Sequence, residues 1–399
     1  GLDKDPRTRI GSAIEVRDAL IALRHLQPLA VPGIGPSVAV LPFADLSPER
    51  DQAYFCAGVA AEIIVALGRV SGLRVASRTA SFRLGEAGLD CRELGRRLSV
   101  GALLTGSVRK QGNRLRITVE LVDAISGFAL WEQSFDREIE DVFAIQQEIA
   151  RRVTSALQVT LSHSEHEALG RAPTSSVRAY DLYLRGRDYY YQYRRRGVEF
   201  ALALFKNAVE IDPSFAPSWA GIADCYCFFF LYVSRVAANI EQAEAASRRA
   251  LELDPALAEA QASFGVALSI AGRDQEAVAA FREAIRLDPG LFEARYFYAR
   301  HCFARGHAEQ AARLYEEAEA LRPEDYQSPL LVAQIYADLG LADRADAAYR
   351  RGLRKADERL RAHPDDSRAR YMGANALVAI GERERGLEWA RAALALEPD

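Results

Sequence analysis

Residues 264–289 read FGVALSIAGRDQEAVAAFREAIRLDP, and residues 298–323, thirty-four positions further on, read YARHCFARGHAEQAARLYEEAEALRP. Superposed, they agree in residue type at fixed places. Phe264-Gly265 lies over Tyr298-Ala299, Leu268 over Cys302, Ala277 over Ala311, Phe281 over Tyr315, Ala284 over Ala318 and Pro289 over Pro323. The apolar positions recur at helical spacing. Small residues stand where two paired helices approach most closely, and aromatics fill the gaps between pairs. A proline ends each unit because it cannot continue a helix.

The pattern extends in both directions. Pro213, Pro255, Pro289, Pro323, Pro364 and Pro398 are separated by 42, 34, 34, 41 and 34 residues. A 34-residue period in an all-helical segment identifies tetratricopeptide (TPR) repeats, here about six over residues 178–399, enough to bury a continuous core. The two long intervals place insertions near Val233–Ile240 and near Arg354–Arg361. The resemblance implies an all-α superhelix whose concave wall is lined by the first helix of each unit. Its register points Asp224, Glu259, Glu293, Tyr296, Arg300, Gln334, Tyr371 and Asn375 toward that groove. This mixture of charge and aromatic rings suits a protein or peptide ligand.

Upstream, residues 37–165 change period. Ser37-Val-Ala-Val-Leu-Pro-Phe43 is a compact apolar run suited to a strand buried on both faces. Helical spacing over 54–70 and a strand at 72–76 follow. A short helix at 91–98 leads to strands flanking a hairpin turn at Arg109–Asn113. In the second of these, Leu115, Ile117, Val119 and Leu121 alternate with polar residues. A third antiparallel strand at 128–135 and a long amphipathic helix at 142–161 complete an α/β domain of four to five strands, with helices over one face. Residues 27–36, rich in Pro and Gly, read as a linker.

Composition excludes several classes. Net charge is −4, with acids and bases interleaved, against the basic excess of a nucleic-acid binder. Only four of the 51 basic residues are lysine, a compositional bias of a GC-rich genome. Five scattered cysteines without a CxxC pair suit a reduced, cytoplasmic setting. The longest apolar run, Cys225–Val233, is about half a membrane span. No nucleic-acid or membrane partner is therefore expected. There is no GxGxxG after a strand, no phosphate loop, no HExxH and no GxSxG, so no catalytic, cofactor-binding or metal-binding residues are assigned. His163 and His166 lack a third ligand. Cys225 and Cys227 read as packing. The aromatic and arginine run Asp188–Arg196 falls at the turn inside the first repeat and suits a partner-facing or structural turn better than base stacking.

Two further resemblances carry functional expectations. Residues 37–160 resemble the TolB-like amino-terminal domain. The resemblance lies in Val38-Ala-Val-Leu-Pro-Phe43, Tyr54-Phe-Cys-Ala-Gly58, Thr105-Gly-Ser-Val108, Leu130-Trp-Glu132 and Phe143-Ala-Ile-Gln-Gln-Glu-Ile149. It implies a regulatory or interaction module without catalytic residues, set between an effector and TPR repeats. Residues 1–26, with Leu2-Asp-Lys-Asp-Pro-Arg-Thr-Arg9 followed by the capping box Ser12-Ala-Ile-Glu15, resemble the end of a Ser/Thr protein-kinase catalytic domain. By that resemblance, Arg9 is the arginine that pairs with the glutamate closing the activation segment. The expectation is a non-catalytic regulatory region of a bacterial kinase that recruits a protein or peptide and self-associates. The alternatives are the same module on an adenylate cyclase or winged-helix regulator, and a small-molecule sensor with a pocket near Asp181–Tyr193.

Overall fold

The computed structural model describes residues 35–85, 88–170 and 172–396. Arg9, the box at residues 12–15, most of the 27–36 linker and the final Pro398-Asp399 lie outside the described residues.

Strand β1 (Ser37–Val40) is buried along its whole length. It pairs in parallel with β3 (Arg74–Val75) and with β4 (Ala102–Gln111), placing Val38 beside Val75 and Ala102. Parallel neighbours need crossovers. Helix α1 (Ala53–Gly68) provides the first, and α2 (Arg78–Gly85) with α3 (Cys91–Leu98) the second. The two-residue β2 (Ala44–Asp45) also pairs with β4. From β4 the chain turns at Gly112, φ +59°, into antiparallel β5 (Arg114–Asp123), and β6 (Ala129–Glu138) closes the order β3-β1-β4-β5-β6. The small sheet is therefore mixed. Among the described residues it has six strands, two of them only two residues long, where four to five were expected.

Helices cover both faces of the sheet, not one. Helices α1 and α4 (Val142–Ala156) pack on Val38, Val40, Leu104, Ile117 and Val119. Leu84 and Leu94, from α2 and α3, cover Ala39, Leu41 and Leu103 on the opposite side. The uninterrupted apolar run of β1 requires this second layer, because alternate side chains point to opposite faces. Helix α4 ends at Ala156, short of the expected residue 161, and the chain turns at Gln158, φ +55°.

After α5 (His163–Leu169), twelve helices pair consecutively among the described residues. They are α6 (Val177–Tyr190) with α7 (Arg195–Ile211), α8 (Ala216–Tyr232) with α9 (Ala237–Leu253), and α10 (Ala258–Ile270) with α11 (Asp274–Leu287). Then come α12 (Phe292–Ala304) with α13 (Ala308–Leu321), α14 (Gln327–Asp338) with α15 (Ala342–Ala362), and α16 (Ser367–Ala379) with α17 (Arg383–Leu396). The repeat period has two local causes. Residues that precede the prolines, such as Asp254 (φ −140°, ψ 94°) and Asp288 (φ −132°, ψ 95°), are forced out of the helical region. Gly272, Gly306 and Gly340 turn each pair with φ between +73° and +79°. Gly265 admits the Phe281 ring, which would lie 2.8 Å from a Cβ built there. The later insertion is not a loop: it lengthens α15 to 21 residues.

The α/β domain and the first repeat share one core. Tyr180 of α6 packs edge-on against Phe55 (6.4 Å) and Phe143 (5.1 Å), and its hydroxyl accepts from Gln146 Nε2 at 3.0 Å. Tyr54 donates its hydroxyl proton to Asp181 Oδ1 at 2.7 Å. A Cβ at Gly58 would lie 2.4 Å from Leu184, so α1 and α6 are in direct contact. Three loops of the superhelix also meet this domain: Asp254 pairs with Arg69 at 3.2 Å, Gly290 packs on Ser77, and Glu324 lies 3.8 Å from Arg83. Among the described residues no helix is long and apolar enough to cross a membrane.

Candidate functional site

The first helices α6, α8, α10 and α12 line a cleft on the inner side of the superhelix. Gln327 and Arg368, from the first turns of α14 and α16, close its far end. The cleft encloses about 740 Å³, part of it open to solvent. Phe228, Leu231, Val266, Phe292 and Phe297 supply apolar walls, and charged groups project between them.

Four of the eight groove residues expected from the repeat register line this cleft: Asp224, Glu259, Glu293 and Tyr296. Arg300 does not line it but lies alongside, its guanidinium 5.7 Å from the Tyr232 ring centre. Gln334, Tyr371 and Asn375 fall outside it, the last two on exposed surface. The cause is superhelical rotation, because the last two pairs present only their first turns to the cleft. Tyr296 is also a core residue. It is buried, lies 5.4 Å from Phe292 and 5.6 Å from Tyr315, and donates to Gln327 Oε1 at 3.2 Å.

Charges in the cleft are mostly paired. Arg187 of α6 is buried; its Nη1 donates to Asp224 Oδ2 at 3.2 Å and its Nη2 to the Tyr191 hydroxyl. The Ser263 hydroxyl donates to the other Asp224 oxygen. Burial pushes the Asp224 carboxyl up to about 6, although Arg187 and Ser263 oppose the shift. Arg322 Nη2 donates to Glu293 Oε1 at 2.8 Å and stacks 3.9 Å from the Phe292 centre. Burial works to raise Glu293, but Arg322 outweighs it and holds the carboxyl below its ordinary value. Glu259 makes no ion pair among the described residues.

A second cleft, of about 440 Å³, lies between α1 and α6, within the stretch expected to form a sensor pocket. Tyr54, Glu62, Arg78, Tyr183 and Asp188 line it, and Arg187 and Tyr191 form a wall common to both clefts. Burial and the Glu259 charge push Glu62 up to about 7, against Arg69, Arg78 and Arg187. Arg187, Arg322, Arg368 and Glu62 were not singled out from the sequence. The run at 188–196 pointed to the neighbourhood of the first, but nothing local marks the other three.

His163 stands at the start of α5 and His166 one turn on, and no group of three metal-ligating side chains occurs among the described residues. Cys225 and Cys227 are both buried, and the Cys227 thiol faces the Ser263 carbonyl at 3.8 Å.

Residues 35–152 match the family described as the second domain of HilA/YgeH-like transcriptional regulators, and residues 268–328 match a tetratricopeptide repeat family. The TPR assignment of the helical region stands on that match and on the helix pairing. A relative named "Putative adenylate cyclase 3", from Rhizobium meliloti (strain 1021), is 34% identical over 238 residues. The alignment takes in 59% of this chain and 40% of that relative, so the chain spans less than half the relative's length. Similar solved structures include the TPR protein TTC0263 of Thermus thermophilus, at 16% identity, with a TM-score of 0.40, 50% of this chain and 99% of that one. Another is YrrB, titled a TPR protein with an unusual peptide-binding site, at 21% identity, with a TM-score of 0.30, 49% of this chain and 93% of that one.

Proposed function

We propose that this chain is the non-catalytic regulatory and interaction region of a bacterial signalling protein, with the TPR cleft recruiting a protein or peptide segment. One observation carries the reading. The cleft is built only from first helices and their adjoining turns, and it alternates aromatic walls with charged groups. Such a surface can grip an extended chain through its side chains. The α/β domain shares a core with the first repeat, so occupation of the cleft can be felt at the Arg187–Tyr191 wall and passed to whatever α1 adjoins.

Three effectors suit the module. The kinase reading, with this region as a TolB-like and TPR extension of a Ser/Thr kinase in the cytoplasm, rests on residues 1–26. The relative named as an adenylate cyclase, aligned over 59% of this chain, favours the cyclase reading, and the regulator-domain match at 35–152 fits a third effector of the same layout.

The test is affinity capture on the whole 399-residue chain beside its Glu259→Lys variant. Glu259 makes no ion pair among the described residues, so reversing its charge alters the cleft without breaking a bridge. A partner held by the native chain and released by the variant, with unchanged circular dichroism, is the expected result. Equal capture by both would place the interaction elsewhere. Assaying the complete parent protein for protein phosphorylation and for cyclic AMP formation decides between the kinase and cyclase readings, and absence of both activities favours the regulator.

A further inference from the structure

We infer that the far end of the cleft is a carboxylate-recognition site, formed by Arg368 and Arg300 around Tyr232, for an aspartate or glutamate side chain of the bound peptide. The inference rests on the reading of the cleft as a peptide site.

Four sheltered cations of this superhelix each have a carboxylate beside them: Arg187 with Asp224 at 3.2 Å, Arg322 with Glu293 at 2.8 Å, Lys355 with Glu319 at 2.8 Å, Arg359 with Asp366 at 2.9 Å. This is the expected state, because an unpaired charge away from water is costly. Arg368 and Arg300 break the pattern. Neither makes an ion pair among the described residues. Their guanidinium carbons lie 4.0 Å and 5.7 Å from the Tyr232 ring centre, and the Arg368 Nε is buried without an acceptor. The neighbouring acid, Asp325, is already committed, accepting from the amides of Gln327 at 3.2 Å and Ser328 at 2.7 Å at the start of α14.

Stacking on the Tyr232 ring uses the face of the Arg368 guanidinium, and a hydrogen bond to the Tyr232 hydroxyl uses part of its edge, which leaves the remaining N–H donors for a ligand. A planar carboxylate fits that edge with two parallel hydrogen bonds. Arg368 lines the cleft beside Tyr296 and Gln327, so an acceptor arriving there meets the edge from the ligand side. The charge of the ligand group follows from the rest of the lining. Asp224, Glu259 and Glu293 share the cleft and repel a doubly charged phosphate more strongly than a single carboxylate.

The experiment presents the full chain with an immobilised positional-scanning hexapeptide library containing Asp, Glu, Asn, Gln and phosphoserine at each position. Enrichment of Asp or Glu at one position is expected. Arg368→Gln and Arg300→Gln should each lower binding of the enriched peptides about tenfold or more, while Arg368→Lys, which keeps the charge, retains the acidic preference. Thermal melts of all three variants separate loss of the site from loss of the fold, and the Arg300 variant tests the site without touching the first turn of α16. Peptides enriched without an acidic preference, a preference for phosphoserine, or an acidic preference kept by both glutamine variants would each overturn the assignment while leaving the peptide reading intact. A library that yields no bound peptide overturns both.

Discussion

Arg187 of α6 donates to Asp224 of α8 across 3.2 Å, and this ion pair stands in the wall that separates the inner cleft from the cleft under the α/β domain. The pair is well sheltered, with side-chain exposures of 11% and 20%. Replacing Arg187 with methionine strands Asp224 and removes a cation facing Glu62. The expected loss is about 3–5 kcal/mol in urea unfolding. Adding Asp224→Asn should recover much of it, since the stranded charge is then gone. A loss below about 1 kcal/mol for the single variant would show that the pair behaves as an exposed bridge.

Glu62 makes stability depend on pH. Its carboxyl is raised from an ordinary 4.5 to about 7 by burial and by Glu259 of α10, with Arg69 following α1, Arg78 of α2 and Arg187 of α6 opposing. A raised carboxyl binds its proton more tightly in the folded chain than in the unfolded one. Its favourable contribution is therefore complete below about pH 4.5 and is lost as pH rises through about 7. Asp224 and Asp288, both raised to about 6, act in the same direction. Thermal melts between pH 5.5 and pH 8 should show Glu62→Gln with a flatter dependence than the native chain and a higher melting temperature at the alkaline end. Parallel curves for the two proteins would exclude this role.

Gly265 tests the packing rule behind the repeat period. An alanine there puts a methyl group 2.8 Å from the Phe281 ring, which is itself fully buried. Denaturant unfolding of Gly265→Ala is expected to show a loss of about 1–3 kcal/mol through overpacking.

Tyr296 needs a conservative probe. Truncation to alanine removes a buried ring and should cost about 3–5 kcal/mol, confounding any binding measurement. Tyr296→Phe removes only the hydroxyl that reaches Gln327, with an expected loss of about 0.5–1.5 kcal/mol. Any larger drop in partner affinity then reports a contact made by the hydroxyl itself.

The thiols should differ in reactivity. Cys225 and Cys227 are buried with their thiols pushed up by burial, and burial likewise raises Cys56 to about 12 and Cys302 to about 11. Cys91 at the start of α3 is half-exposed. A disulfide reagent at pH 8 should modify Cys91 alone in the native chain and all five cysteines after denaturation, read by mass spectrometry.

Much of this architecture could be read from local pattern. The proline spacing located the helix pairs because each proline acts on its own backbone. The alternation of Leu115, Ile117, Val119 and Leu121 marked a strand with one buried face, and all four are buried. The same logic left the second face of β1 uncovered, since a continuous apolar run does not say which helices reach it. Asp224, Glu259, Glu293 and Tyr296 were placed on the inner wall by register alone, whereas Gln334, Tyr371 and Asn375 were not where a straight continuation puts them.

The sequence by itself determined that a stack of helix pairs follows a small α/β unit, because helix ends, turns and apolar periods are set by neighbouring residues. Only the tertiary structure decided which charges meet. Arg187 finds Asp224 across 37 positions, and Arg322 finds Glu293 across 29. Arg368 and Arg300, which come from different repeats, reach Tyr232 of a third with no carboxylate between them. Such pairings depend on the superhelical rotation accumulated over several repeats, a sum of small packing angles that no local stretch of sequence encodes.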